Sequence, residues 1–282
     1  MSGRIRHDQA AGLRTGRGGA WSVAITSGKG GVGKTSLAVN LALALAQGGT
    51  RTCLVDGDLG LANVDVLLNL HPRHTLQDVV TRNLPLEDVQ MAGPAGLHVI
   101  PAASGVEALA NLGPAARQAL VGRLQASELG AEALVLDTGA GISHTVLALA
   151  LAADEVLVVT TPEPTALTDG YAMLKVLTQR RPTLPVRIVL NQVEHATQAR
   201  EIHGHLTRIA DRFLHRDVPL AGWVPRDACV ERAVREQRPL MLYFPYARAT
   251  EAIRDIAGRL ECRASADRAG FWERLVTAPE SA

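Results

Sequence analysis

Four glycines and two lysines crowd into one short run, Gly28-Lys29-Gly30-Gly31-Val32-Gly33-Lys34-Thr35, followed by Ser36. The run fits G-x-x-x-x-G-K-[ST], a loop whose glycines let backbone N–H groups turn inward around phosphate oxygens. In such a loop Lys34 reaches the β- and γ-phosphates and the Thr35 hydroxyl binds Mg²⁺. The whole chain has three lysines among 29 basic residues, and Lys29 and Lys34 are two of them. A compact ammonium suits a phosphate as a point charge, where a guanidinium would be broader.

Acids follow at the ends of apolar runs. Leu54-Val55-Asp56-Gly57-Asp58 places two carboxylates where one strand ends. If the strand runs straight, Asp56 and Asp58 point the same way; a turn at Gly57 would undo that. Leu134-Val135-Leu136-Asp137 is a second apolar strand ending in an acid, the pattern that holds Mg²⁺ directly or through water. Thr138-Gly139-Ala140-Gly141 is flexible enough to sense a γ-phosphate, and Ser143 suits a helix cap just after it.

These groups need a frame that brings strand ends together. Apolar β-branched runs recur at 21–27, 52–56, 97–101, 133–137, 155–160, 186–191 and 220–225. Helix-period segments lie between them at 35–47, 114–127, 143–152, 165–180, 197–214 and 248–260. That alternation predicts an α/β fold with a mainly parallel sheet and helices on both faces. Ligands of such sheets bind at the carboxyl ends of the strands, where the acids and the glycine loop fall. Residues 1–20 read as a flexible Arg- and Gly-rich extension, 21–260 as the folded domain and 261–282 as a tail.

An ordinary loop of this pattern has no use for Lys29. With it, the run resembles K-G-G-x-G-K-T, the deviant Walker A form of the MinD/ParA family of dimerising ATPases. The resemblance implies a three-layer P-loop NTPase of the SIMIBI class, with ATP or ADP and Mg²⁺ as ligands and ATP hydrolysis as the reaction. It implies an ATP-dependent homodimer in which Lys29 reaches the partner's nucleotide. Lys29, Lys34 and Asp58 would then be the catalytic set, Asp58 orienting the attacking water. Thr35, Asp137 and, near the magnesium shell, Asp56 would serve the metal, and Gly28 to Ser36 would cradle the phosphates. Asn191 would contact adenine, with Pro225 and Asp227 on the other side of the base. Gln192 departs from the basic residue expected after that Asn.

Four stretches are similar to the flagellar-number regulators of that family: Asp8–Arg14 with its D-Q-A-x-x-L-R order, Asp58–Asp65, Asp137–Ser143 and Thr160–Thr165. The likeness runs from about Asp8 to about Ala257. It implies control of flagellar number and placement. Its implied partners are a signal-recognition GTPase of the FlhF type, and flagellar C-ring proteins or a flagellar transcription regulator. It also implies weak peripheral membrane contact by the ATP-bound dimer. Near the C-terminus Phe271, Trp272, Leu275 and Val276 share one helical face opposite Asp267, Arg268, Glu273 and Arg274. That short face could meet a membrane or pack on the domain.

Composition narrows the rivals. Hydrophobic residues make up 47% and charged residues 20%, as in a globular protein. The formal net charge is +1, little support for a DNA-partitioning ATPase of the ParA type, which needs a basic surface; nucleic acid is not an expected partner. Cys53, Cys229 and Cys262 follow no ligand spacing, against an iron–sulfur carrier of the same fold. With no signal-like apolar core near the N-terminus, a cytoplasmic protein is expected.

Overall fold

A strand of apolar and β-branched residues with no polar face must be covered on both sides. β1 (Trp21–Ser27) is such a strand, and every one of its residues is buried. The computed structural model describes residues 19–58, 63–82, 84–101, 130–260, 262 and 270–277. The Asp8–Arg14 element, the helix expected at 114–127 and residues 59–62 lie outside the described residues.

In chain order the described elements begin with β1, α1 (Lys34–Gln47), β2 (Thr52–Gly57), α2 (Val64–Leu68), α3 (Leu76–Thr81) and α4 (Leu86–Val89). β3 (Met91–Ala92), β4 (His98–Ile100), β5 (Ala133–Ala140), α5 (His144–Ala152), β6 (Glu155–Thr160) and α6 (Pro164–Arg180) follow. The chain continues through β7 (Val186–Val193), α7 (Ala196–Leu214), β8 (Leu220–Pro225), α8 (Ala228–Arg235), α9 (Leu240–Tyr243), α10 (Arg248–Gly258) and α11 (Phe271–Thr277). The strands form one sheet in the order β3-β4-β2-β5-β1-β6-β7-β8. All neighbours run parallel except β3 and β4, which pair antiparallel at one edge. This is the three-layer α/β architecture the alternation predicts.

Side-chain alternation along the strands splits the core in two. Ala24, Val156 and Val158 face a cluster with α5, α6 and α7. Val23, Ile25, Leu157 and Val159 face the other cluster, built on α1 and α10. Register then sets the site: β1 pairs with β5 so that Ile25 lies beside Asp137. β2 pairs with β5 so that Asp56 lies beside Asp137. The carboxyl ends of three adjacent strands therefore carry the phosphate loop and two of the acids.

The C-terminal segment joins the domain. Phe271, Trp272, Leu275 and Val276 are all buried, and the Phe271 and Trp272 rings meet edge-to-face at 5.0 Å. Arg274 donates to the Ala152 carbonyl at 2.6 Å and pairs with Asp154 at 2.9 Å. The apolar face that could have met a membrane is seated beside α5 instead, and the folded unit includes α11. Among the described residues no helix is long and apolar enough to cross a membrane.

Candidate nucleotide site

α1 begins without a side-chain cap. Its N-cap is Gly33, in the left-handed region at φ 89°, and no side chain accepts from the first turn. The opening amides of a helix need partners, and an anion supplies them together with charge for the dipole. Gly33 is required twice over, since a Cβ there would lie 2.4 Å from the Asn191 amide nitrogen as well as demanding a positive φ. At Gly28 a Cβ would lie 2.0 Å from the Asp169 carbonyl oxygen of α6, so the loop's first glycine sits directly on that helix backbone.

Around this loop the charges are concentrated and dry. Lys34 is 7% exposed. Burial lowers its pKa, and the carboxylates of Asp137 and Asp58 act to raise it. Asp137 is 1% exposed, and neither of its carboxylate oxygens has a hydrogen-bond partner. Burial pushes its pKa up to about 7, helped by the nearby Asp56 and Asp58 and opposed by the Thr35 hydroxyl and Lys34. A buried carboxylate with both oxygens unpaired is an incomplete arrangement that a divalent cation completes. The hard oxygen donors of Asp137 and Thr35 suit Mg²⁺.

Asp56 is tied to the backbone on both sides of the segment that follows it. Its Oδ1 accepts from the Asp58 N–H at 3.1 Å and its Oδ2 from the Val64 N–H at 3.4 Å. Burial raises its pKa to about 6 against those two donors. Asp56 thus grips both ends of the stretch that carries Asp58. The Asp58 carboxylate faces the carboxyl end of β5, with Oδ1 3.5 Å from where a Gly139 Cβ would stand. Ser143 caps α5 as its position suggests, accepting from Val146.

The residues expected at the base divide in the same way. Asn191 and Pro225 line one cavity of about 490 Å³ with Gly33, Val230, Leu240 and Ile253. Asn191 also donates to the Val32 carbonyl at 2.8 Å and accepts from Gln192 N–H at 2.9 Å. Gln192 takes a left-handed φ of 59° to make that bond. Asp227 lines the cavity too, but its oxygens accept from the backbone of Cys229 at 2.9 Å and Ala249 at 3.2 Å. Burial works against its ionised form, yet those donors hold the carboxyl below its usual range. Through those bonds Asp227 joins α8 to α10 at the cavity wall.

Lys29 lies at the rim. Its ammonium donates to Glu163 at 3.1 Å and to the Thr165 hydroxyl at 2.9 Å. Sequence reasoning quoted those residues without giving them a task. The signal available was their place at the strand–helix turn after β6, one strand from the loop.

The ParA family, described as "NUBPL iron-transfer P-loop NTPase", matches residues 20–261. The chain belongs to the ParA/MinD family of P-loop NTPases. It is 41% identical over 239 residues to the antiactivator FleN of Pseudomonas aeruginosa, covering 85% of each chain. It is 31% identical to the flagellum site-determining protein YlxH of Helicobacter pylori, covering 86% of this chain and 83% of that one. Among solved structures, MinD in the MinC:MinD complex of Aquifex aeolicus superposes with a TM-score of 0.70 at 26% identity, covering 87% of this chain and 98% of that one. ParA/MinD membership agrees with the lysine-bearing loop, the sheet order and the acids at the strand ends.

Proposed function

We propose that this chain is a dimerising switch that binds Mg-ATP, hydrolyses it to ADP and phosphate, and regulates the number and placement of flagella. The observation that carries the chemical part is the pairing of an uncapped α1 N-terminus with the unpartnered, buried Asp137. One accepts the phosphates and the other a metal ion. Bound Mg²⁺ would neutralise charge developing on the transferred phosphoryl group. Thr35 and Asp137 would hold it, and Asp56 would keep the Asp58 segment in place. Lys34 would lie along the β- and γ-phosphates, and Asp58 would orient the attacking water. Lys29 would act in a second copy of the chain, whose approach completes both sites.

The biological part rests on similarity to the antiactivator FleN and to YlxH, each alike over most of its length. In this reading the ATP-bound dimer engages a signal-recognition GTPase of the FlhF type through residues 8–14. Flagellar C-ring proteins or a flagellar transcription regulator would be further partners. Weak peripheral membrane contact belongs to the reading only if α11 leaves its seat, since its four apolar side chains are buried in the domain.

Phosphate release from Mg-ATP at increasing protein concentration tests the enzyme. Turnover per chain should rise with concentration, because the second lysine comes from another copy. A flat specific activity would remove the dimer from the mechanism. In the native organism, Lys34→Ala should change the number of flagella counted by electron microscopy; an unchanged count would detach the chemistry from the flagellum.

A further inference from the structure

Lys29 is held within its own chain by a site built on the β6–α6 turn. Pro164 occupies the first turn of α6, where its fixed φ favours a helix start. Glu163 stands at the N-cap with an extended backbone, yet its side chain does not cap the helix. Its carboxylate turns to the Lys29 ammonium at 3.1 Å, and the Thr165 hydroxyl accepts from the same nitrogen at 2.9 Å. The loop and this turn cannot drift apart, because Gly28 packs on the Asp169 backbone one and a half turns further along α6. Both partners reach solvent, the Lys29 side chain at 39% and the Glu163 side chain at 67% exposure, so the pair can open without disturbing the core.

We infer that Glu163 and Thr165 are positioning residues that park Lys29 in its own chain and set the threshold for its delivery to a second copy. This rests on the dimerising function proposed above. The ammonium has one set of donors, so it serves either the parking pair or a phosphate across an interface. An exposed ion pair with a neutral hydrogen bond shifts such a choice by about threefold. A two-fold dimer releases two lysines, so the dimerisation constant should move by about tenfold when the pair is broken.

The chain's three lysines make a direct test practical. Reductive ¹³C-methylation of the full chain labels Lys29, Lys34, Lys175 and the N-terminal amine, and the NMR signals of Lys29 and Lys175 are assigned by their loss in Lys29→Arg and Lys175→Arg. In the nucleotide-free protein, Glu163→Gln and Thr165→Val should each move the Lys29 signal and leave Lys175 in place. Sedimentation of unmethylated protein with a non-hydrolysable ATP analogue and Mg²⁺ should then show Glu163→Gln dimerising at about tenfold lower concentration. In a Lys29→Ala background the chain should stay monomeric with or without Glu163→Gln, since the effect runs through Lys29. An unmoved Lys29 signal in both variants overturns the parking site. So does weaker dimerisation of Glu163→Gln, or dimerisation restored by Glu163→Gln in the Lys29→Ala chain. A Lys29 signal that moves in a chain that never dimerises overturns delivery and the reading beneath it, while leaving the parking pair established.

Discussion

Asn191 ties the end of β7 to the glycine loop: its side-chain amide donates to the carbonyl of Val32 at 2.8 Å. The loop glycine next to it leaves room for that amide and for nothing larger. A residue expected to read adenine therefore also holds the path of the loop proposed to bind the phosphates.

Asn191→Ala should accordingly weaken binding of ligands that have no base. Affinity for inorganic tripolyphosphate should fall about tenfold, in line with the loss of one hydrogen bond to a partly buried loop carbonyl. Isothermal titration with tripolyphosphate and with ADP separates the two roles. Tripolyphosphate affinity equal to wild type would reduce Asn191 to a base contact.

Asp58→Ala should slow hydrolysis by about 10²-fold or more while leaving ATP binding near wild type, because the proposed mechanism sets Asp58 on water rather than on nucleotide. Asp56→Asn should resemble it in part, through release of the backbone N–H groups of Asp58 and Val64. Single-turnover phosphate release with measured ATP affinity checks both. Loss of ATP affinity with turnover per bound ATP unchanged would move Asp58 out of the chemistry.

The acids should make the site pH-dependent in a defined direction. Burial raises Asp137 to about 7 and Asp56 to about 6. A carboxyl whose pKa is higher folded than unfolded binds extra protons between the two values, so it stabilises the fold most at low pH. That contribution is lost as pH rises from about 4 to about 7. Metal binding needs the ionised form and strengthens over the same rise. Mg²⁺-dependent nucleotide affinity should climb up to about pH 7 and then level off. The nucleotide-free protein should lose melting temperature over that range relative to Asp137→Asn. A magnesium requirement with no pH dependence below neutrality would contradict the assignment of Asp137.

Trp272→Ala should destabilise the domain by about 3–5 kcal/mol, the usual cost of emptying a buried aromatic site. Arg274→Met should cost less, since Asp154 keeps the N–H and hydroxyl of Ser22 as donors at 2.9 and 2.7 Å. Urea unfolding measures both. A change under about 1 kcal/mol for Trp272→Ala would mean that α11 is not seated on α5 in solution.

The central strands were legible because they are apolar, β-branched runs, most of them buried on both faces; those of 21–27, 155–160 and 220–225 have the bounds read from periodicity, whereas the two-residue edge strand β3 is too short and too exposed to leave such a pattern. The phosphate loop was legible because its chemistry is local, all of it within nine consecutive residues. The short helices α2, α3 and α4 were not, since each is two turns or fewer and carries too few residues to fix a period. The tasks of Asp56 and Asp227 were hidden for another reason. Both satisfy backbone donors, two to twenty-two residues away, and only the folded path brings those N–H groups to a carboxylate. The seat of Arg274 against Ser22, Asp154 and α5 is longer-range still, joining the two ends of the described chain.

Light scattering of the full chain in ADP and in a non-hydrolysable ATP analogue with Mg²⁺ tests the central claim most directly. The account predicts the mass of one chain with ADP, twice that mass with the analogue, and loss of the larger species in Lys29→Ala. One mass in both nucleotides, or a Lys29→Ala protein that dimerises and turns over ATP like wild type, would contradict it.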